Sequence, residues 1–161
     1  FKGEASAILI QEEIKKYPNN LQVFNGRGGQ EIIDNFLAGC SGIIPSLEGT
    51  DTFLKIYKLI QQKKILEAKK LYKKILPSIV FSMQSIDTLV CYGKRICAYR
   101  MGIKKIYDRS PGLKPTNFGI KLSKQFHETQ YFLLIGFDPA LHIHQSYCFY
   151  YKNKVHDLFV V

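Results

Sequence analysis

The sequence has 161 residues, 46% of them hydrophobic, which fits one globular domain with a real core and excludes wholesale disorder. A net charge of +10 raises phosphate-bearing partners, nucleic acid or an acidic membrane surface, but most of the excess is lysine paired on the polar faces of helices, where it reads as solvated. Four cysteines, Cys40, Cys91, Cys97 and Cys148, lack CxxC spacing and exclude a disulfide scaffold; they read as reduced thiols, most of them buried, in a cytoplasmic protein.

The chain opens at Phe1 without a methionine, so its true start is expected to lie upstream. Phe1 to Glu4 reads as the end of a strand, followed by a helix from about Ala5 to Lys16 with Ile8, Leu9 and Ile14 inward. Tyr17-Pro18-Asn19-Asn20 breaks that helix. A strand over Leu21 to Asn25 then runs into a glycine loop, Gly26-Arg27-Gly28-Gly29. Ile32, Ile33, Phe36 and Leu37 recur at helical spacing, Gly39 stands where a left-handed C-terminal residue is usual, and Gly42-Ile43-Ile44 begins a buried parallel strand. The stretch is a βαβ unit, with its loop on the side where α/β proteins keep their chemistry.

Glu48 to Asp51 reads as a loop with two candidate N-caps, and Phe53, Leu54, Ile56, Tyr57 and Ile60 give the following helix its buried stripe. Lys63 and Lys64 turn the chain into a longer helix. Its apolar face runs from Ala68 to Met83, with Lys69, Lys70, Lys73 and Lys74 on the other side and a bend expected at Pro77. A further helix is expected from Ile86 to Met101, with Leu89, Val90, Ile96 and Cys97 inward and Gly93 allowing close contact. Thr116 caps a last helix through Phe118, Leu122 and Phe126. From Gln130 the texture turns aromatic; a hairpin across Lys152-Asn153-Lys154 and a sequence never selected to pack both remain open readings. No apolar run is long enough to span a bilayer.

The runs FKGEAS, LQVFNGRGG, LAGCSGIIPS and AKKLYKKILPSIVFSMQSIDTLVCYGKR together resemble the carboxyl-terminal half of the dihydrodipicolinate synthase and N-acetylneuraminate lyase family, over about Phe1 to His127. The resemblance implies the carboxyl-terminal part of a (β/α)8 TIM barrel: the end of strand six, strand seven over Leu21 to Asn25, strand eight over Ser41 to Pro45, and appended helices. On that division, residues 1–62 are partial barrel, 63–129 a helical extension and 130–161 a tail outside the likeness. The implied catalytic residue is Lys2, which would form a Schiff base with pyruvate or a related 2-oxo acid. Gly26 would lie against the bound acid and Ile44 near the lysine. No metal or dissociable cofactor is implied, and the family is homo-oligomeric. A lysine amine attacks a carbonyl only when unprotonated, so its site must lower a pKa of about 10.4 by desolvation or nearby cations.

The family's carboxylate grip and tyrosine proton shuttle have no counterpart here, so the chain is expected to be an enzyme fragment, inactive alone, with no nucleic-acid or membrane partner. The alternative is a small basic α/β protein that binds nucleic acid or a protein partner. Gly26, Gly28 and Gly29 fit neither a Walker loop nor GxGxxG. Glu48 reads as a helix-start carboxylate rather than a catalytic acid, and Arg95 and Arg100 as surface ion-pair partners or subunit contacts. His142, His144, Cys148 and His156 match no structural zinc spacing.

Overall fold

The computed structural model describes residues 1–17 and 21–135. Three parallel strands form one sheet in the order β1 (Lys2–Gly3), β2 (Phe24–Gly28), β3 (Gly42–Pro45). Lys2 pairs with Phe24 and Gly3 with Asn25, while Phe24 and Asn25 pair in turn with Gly42 and Ile43. Helix α1 (Ala7–Lys16) connects β1 to β2, and α2 (Ile32–Leu37) connects β2 to β3. A 3-10 turn over Leu47–Gly49 then feeds α3 (Thr50–Gln61) and α4 (Ile65–Ser82). A short α5 (Ile86–Thr88), a π turn over Leu89–Gly93 and α6 (Lys94–Arg100) follow, and α7 (Asn117–Ile135) closes the described region.

The core lies on the helix side. Ile32 and Ile33 of α2, Phe53 and Ile56 of α3, and Ala68, Ile75 and Ile79 of α4 form one buried cluster, with Ile43 of β3 packed against it. A smaller cluster joins Ile10 of α1 to Val23 and Cys40. Lys63, left-handed at φ 60°, makes the sharp turn between α3 and α4, and Gly39, at φ 102°, ends α2 as its position suggests. Helix α4 runs through Pro77 without interruption. Thr116 caps α7, its hydroxyl accepting from the Gly119 amide at 3.1 Å. The cysteines Cys40, Cys91 and Cys97 are free and buried, and burial raises the pKa of each thiol. Such thiols act as small hydrophobes rather than nucleophiles.

The structure corrects several expectations. Strand β2 starts at Phe24, not Leu21, and continues through Gly28, because a register shift between Asn25 and Gly28 lets the glycines keep pairing as far as Pro45. The glycine turn therefore begins at Gly29. On α1, Ile8 and Leu9 are exposed and Ala7 and Ile10 face inward, because only that side of the helix has a neighbour among the described residues. Neither Thr50 nor Asp51 is an N-cap. The 3-10 turn runs straight into α3, and the Thr50 hydroxyl donates backwards to the carbonyls of Ser46 and Leu47. The helix expected from Ile86 to Met101 is helical without a gap through Arg100 but carries a π turn over Leu89–Gly93, and Val90, expected inward, is exposed. Leu37 and Phe118 are exposed as well, and so are Leu76 and Val80 of α4, which the apolar pattern places on the inward face; at 100° per residue Val80 falls on the lysine side. The expected tail hairpin and the histidines beyond Gln130 lie outside the described residues.

Arg95 and Arg100 are not surface groups; both are buried. Arg95 donates to the Cys91 carbonyl at 2.7 Å and pairs through both terminal nitrogens with Asp108, and Lys94 reaches the same carboxylate at 2.9 Å. This pins the segment between α6 and α7 back onto α6. The hydrogen bonds from Arg95 and then Lys94 hold the Asp108 carboxyl well below the usual carboxylate range. A depressed native pKa contributes stability that is complete above the unfolded value of about 3.9 and is lost as pH falls through the native one. Urea midpoints measured from neutral pH down to acid should therefore fall more steeply for the wild type than for Asp108→Asn. Parallel curves would remove Asp108 from the acid response.

Candidate functional site

The sheet has two unlike faces. A Cβ built on Gly3 would meet the Ile10 side chain, so that side of β1 lies directly against α1. Asn25, level with Gly3, is buried on the same side, where its amide donates to the Ala5 carbonyl at 3.0 Å and its oxygen accepts from the Arg27 amide at 3.0 Å. Ile43 follows in the next strand. The pleat turns the intervening residues, Lys2, Phe24, Gly26, Gly42 and Ile44, to the other face. There Lys2 is exposed and the remaining four are only half-buried.

On this second face the Lys2 side chain crosses from β1 to β2. A Cβ on Gly26 would come within 3.2 Å of Lys2 Nζ and nearer still to Cε, so the bare backbone of Gly26 is what makes room for the lysine. The amine donates to Glu4 Oε1 at 2.5 Å, and the hydrogen bond from Lys2 lowers the Glu4 pKa. Gly42 makes room in the same way on β3, because a Cβ there would touch the Phe24 ring. Ile44 lies two residues beyond Gly42 on that face. Lys2 and Gly26 are thus in contact, and Ile44 shares their face on the next strand.

Loops at the carboxyl ends of the strands are tied down by polar groups that pattern reading overlooked. The Ser46 hydroxyl donates to the Gly28 carbonyl at 2.9 Å, joining the tips of β2 and β3. Asn35, fully buried in α2, donates to the carbonyls of Gln30 and Glu31. Glu31 has a left-handed backbone at φ 52°, its amide donates to the Tyr72 hydroxyl at 3.0 Å, and its carboxylate meets Arg27 at 2.5 Å. The signal for Asn25 and Asn35 was present: an asparagine inside an otherwise apolar pattern needs internal hydrogen bonds.

Glu48 departs from its expected role. Its carboxylate is buried and accepts from the Ser82 hydroxyl at 2.7 Å, while its carbonyl accepts from Arg100. Arg100 also pairs with Asp51, so the end of β3 is fastened to α4 and α6. A mostly apolar recess of about 650 Å³ lies beside it, between Pro45, Leu47 and Glu48 on one side and Cys97, Met101 and Tyr107 on the other. Lys2, Gly26 and Ile44 do not line it. Among the described residues no group of three or more histidine, cysteine or acidic side chains could hold a metal.

Neither a protein-family model nor a curated protein matches the sequence. Solved structures do match the fold. Dihydrodipicolinate synthase from Rhodopseudomonas palustris superposes with a TM-score of 0.67 at 18% identity, over 80% of this chain and 45% of its own. N-acetylneuraminate lyase from Fusobacterium nucleatum gives 0.62 at 22% identity, over 79% and 43%. CdNal from Clostridium difficile, solved in complex with mannosamine, gives 0.61 at 19%, over 80% and 44%. The chain therefore spans less than half the length of each neighbour. It has an α/β fold similar to a portion of the dihydrodipicolinate synthase-like barrel, and its small parallel sheet fits that portion.

Proposed function

We propose that this chain is the carboxyl-terminal part of a Schiff-base-forming lyase acting on pyruvate or a related 2-oxo acid, with β1, β2 and β3 as strands six, seven and eight of the barrel. Lys2 is the imine-forming lysine, and Gly26 and Ile44 line the place of the bound acid. The observation that carries this reading is the Lys2 side chain laid across Gly26 on what is, among the described residues, the less buried face of the sheet. All-parallel sheets occur almost only with both faces covered, and a barrel covers the second face by closing on itself. Facing a barrel interior, Lys2 would lose water; here its side chain is 52% exposed and engaged with Glu4.

The chemistry is one condensation. The neutral amine attacks the ketone carbon and water leaves, and the resulting imine draws electrons from the adjacent carbon, so that a carbon–carbon bond forms or breaks, or a sugar acid loses water. Each course needs a positioned acid or base, worth about 10²- to 10⁴-fold, and among the described residues the only such group beside Lys2 on this face is Glu4, whose carboxylate is taken up by the Lys2 amine itself. The chain alone is therefore inactive in this reading.

Borohydride reduction in the presence of pyruvate, followed by peptide mapping, tests the assignment. The reduced adduct is expected on Lys2, above the level on exposed lysines elsewhere, and absent in Lys2→Arg, with no catalytic turnover in either protein. Labelling spread evenly over the lysines would overturn the role of Lys2. Turnover by the isolated chain would overturn its inactivity.

A further inference from the structure

The charge of the chain is unevenly placed. Residues 55–74, the second half of α3 and the first half of α4, hold eight lysines against one glutamate, a net +7 out of the +10 of the whole sequence. The structure turns this local excess into a surface. Lys69, Lys70, Lys73 and Lys74 are exposed along one face of α4, and Lys63 and Lys64 are exposed at the turn before it. No salt bridge among the described residues involves any of these six, whereas Arg27, Lys94, Arg95 and Arg100 are each paired with a carboxylate. Only Glu67 stands among these eight lysines, so the stretch carries a concentrated positive field rather than a balanced charged surface.

The same face carries apolar side chains between and beyond the lysines. At 100° per residue, Leu66 and Val80 fall within the arc spanned by the four α4 lysines, and they are 77% and 55% exposed. The face runs about 21 Å from Leu66 to Val80. The buried side of α4 is spent on the core through Ala68, Ile75 and Ile79, so the outer face, exposed among the described residues, can meet something else without unfolding the helix. A sugar-phosphate backbone answers the lysines but offers nothing to a leucine and a valine among them. An anionic bilayer answers both, with phosphates and serine carboxylates at the depth of the ammonium groups and acyl chains just below.

We propose that the outer face of α4, with the α3–α4 turn, is a docking surface for an anionic phospholipid bilayer. The chain lies on the membrane through this face and does not cross it; no single helix among the described residues is long and apolar enough to span. The proposal stands independently of the lyase reading, because Lys2 is not part of the surface.

Sedimentation with vesicles tests it. The purified chain is expected to pellet with equimolar phosphatidylcholine–phosphatidylserine vesicles at low salt, to stay in solution with pure phosphatidylcholine, and to be released by high salt. Reversing Lys69, Lys70, Lys73 and Lys74 to glutamate should weaken partition by about a hundredfold or more. The same reversal at Lys104, Lys105, Lys114 and Lys121, exposed lysines elsewhere, should cost far less. Leu66→Ser with Val80→Ser should weaken binding and leave its salt dependence intact. Equal losses from the two lysine sets would reduce the effect to net charge and overturn the proposal. Tighter binding to a single-stranded oligonucleotide, unaffected by the Leu66 and Val80 changes, would assign the surface to nucleic acid and overturn it as well.

Discussion

Arg100→Met should lower the unfolding free energy by about 3 kcal/mol, near the lower end of what removing one partner of a buried ion pair costs. Asp51 retains some exposure, with 23% of its side chain in contact with solvent, which keeps the expected loss from being larger. Three things fail together when the guanidinium is removed. Asp51 loses its cation, the Glu48 carbonyl loses a charged donor, and the end of β3 is no longer fastened to the last turn of α6. Methionine fills most of the aliphatic volume, so the loss is electrostatic rather than a cavity. For a domain with a total stability of about 5–15 kcal/mol the change is large, and it should appear as a lower urea midpoint at unchanged slope. Adding Asp51→Asn completes a double-mutant cycle. The two changes should be clearly less than additive if the ion pair is the main term. Additive losses, or a single-site loss under about 1 kcal/mol, would show that Arg100 matters for something other than the pair.

The contrast between Arg100 and Lys2 explains what the sequence disclosed. Local periodicity is a property of one element, and it placed Ile32, Ile33, Phe53, Ile56, Ile75 and Ile79 inward correctly. Gly39 and Gly93 were legible too, one for its left-handed turn and the other for the close approach of Glu48 and Leu89 to its bare backbone. Arg95 and Arg100 were misread because their partners, Asp108 and Asp51, come from other elements, and no spacing rule joins them. Without a partner in view, an arginine on a helix is best placed at the surface. The start of β2 was misjudged for a related reason. Leu21 has the composition of a strand residue, but pairing with β1 and β3 decides where the ladder begins. The π turn has no apolar signature either. Lys2, Gly26 and Ile44 were singled out through a resemblance between several short runs and a family, and nothing in their own local pattern would have brought them together.

Gly29→Ala is expected to destabilise the fold by about 2–5 kcal/mol through two separable costs. The first is conformational: Gly29 sits at φ 96°, where a Cβ crowds the backbone by about 1–2 kcal/mol. The second is packing. A Cβ there would lie within 2.8 Å of Phe53 Cε2 and closer to two other ring atoms, and Phe53 is 2% exposed with no room to retreat. Overpacking of that kind typically costs about 1–3 kcal/mol. Gly102→Ala isolates the first cost, because Gly102 is also left-handed, at φ 69°, with nothing within 4 Å of the added carbon. Phe53→Leu isolates the second. Leucine opens a cavity in an otherwise wild-type background but relieves the clash with the added methyl group, so Gly29→Ala should cost less in the Phe53→Leu protein than in the wild type. If it costs the same in both, the ring is not what excludes a side chain at Gly29, and the strain lies wholly in the backbone. The distinction bears on the site as well as on stability. Gly29 is where the chain leaves β2 just beyond Gly26, so a shift that relieved the clash by moving the backbone would also move the surface on which Lys2 rests. A clash relieved by Phe53 alone would leave that surface in place, and the two outcomes separate by whether the Lys2 adduct yield falls along with stability.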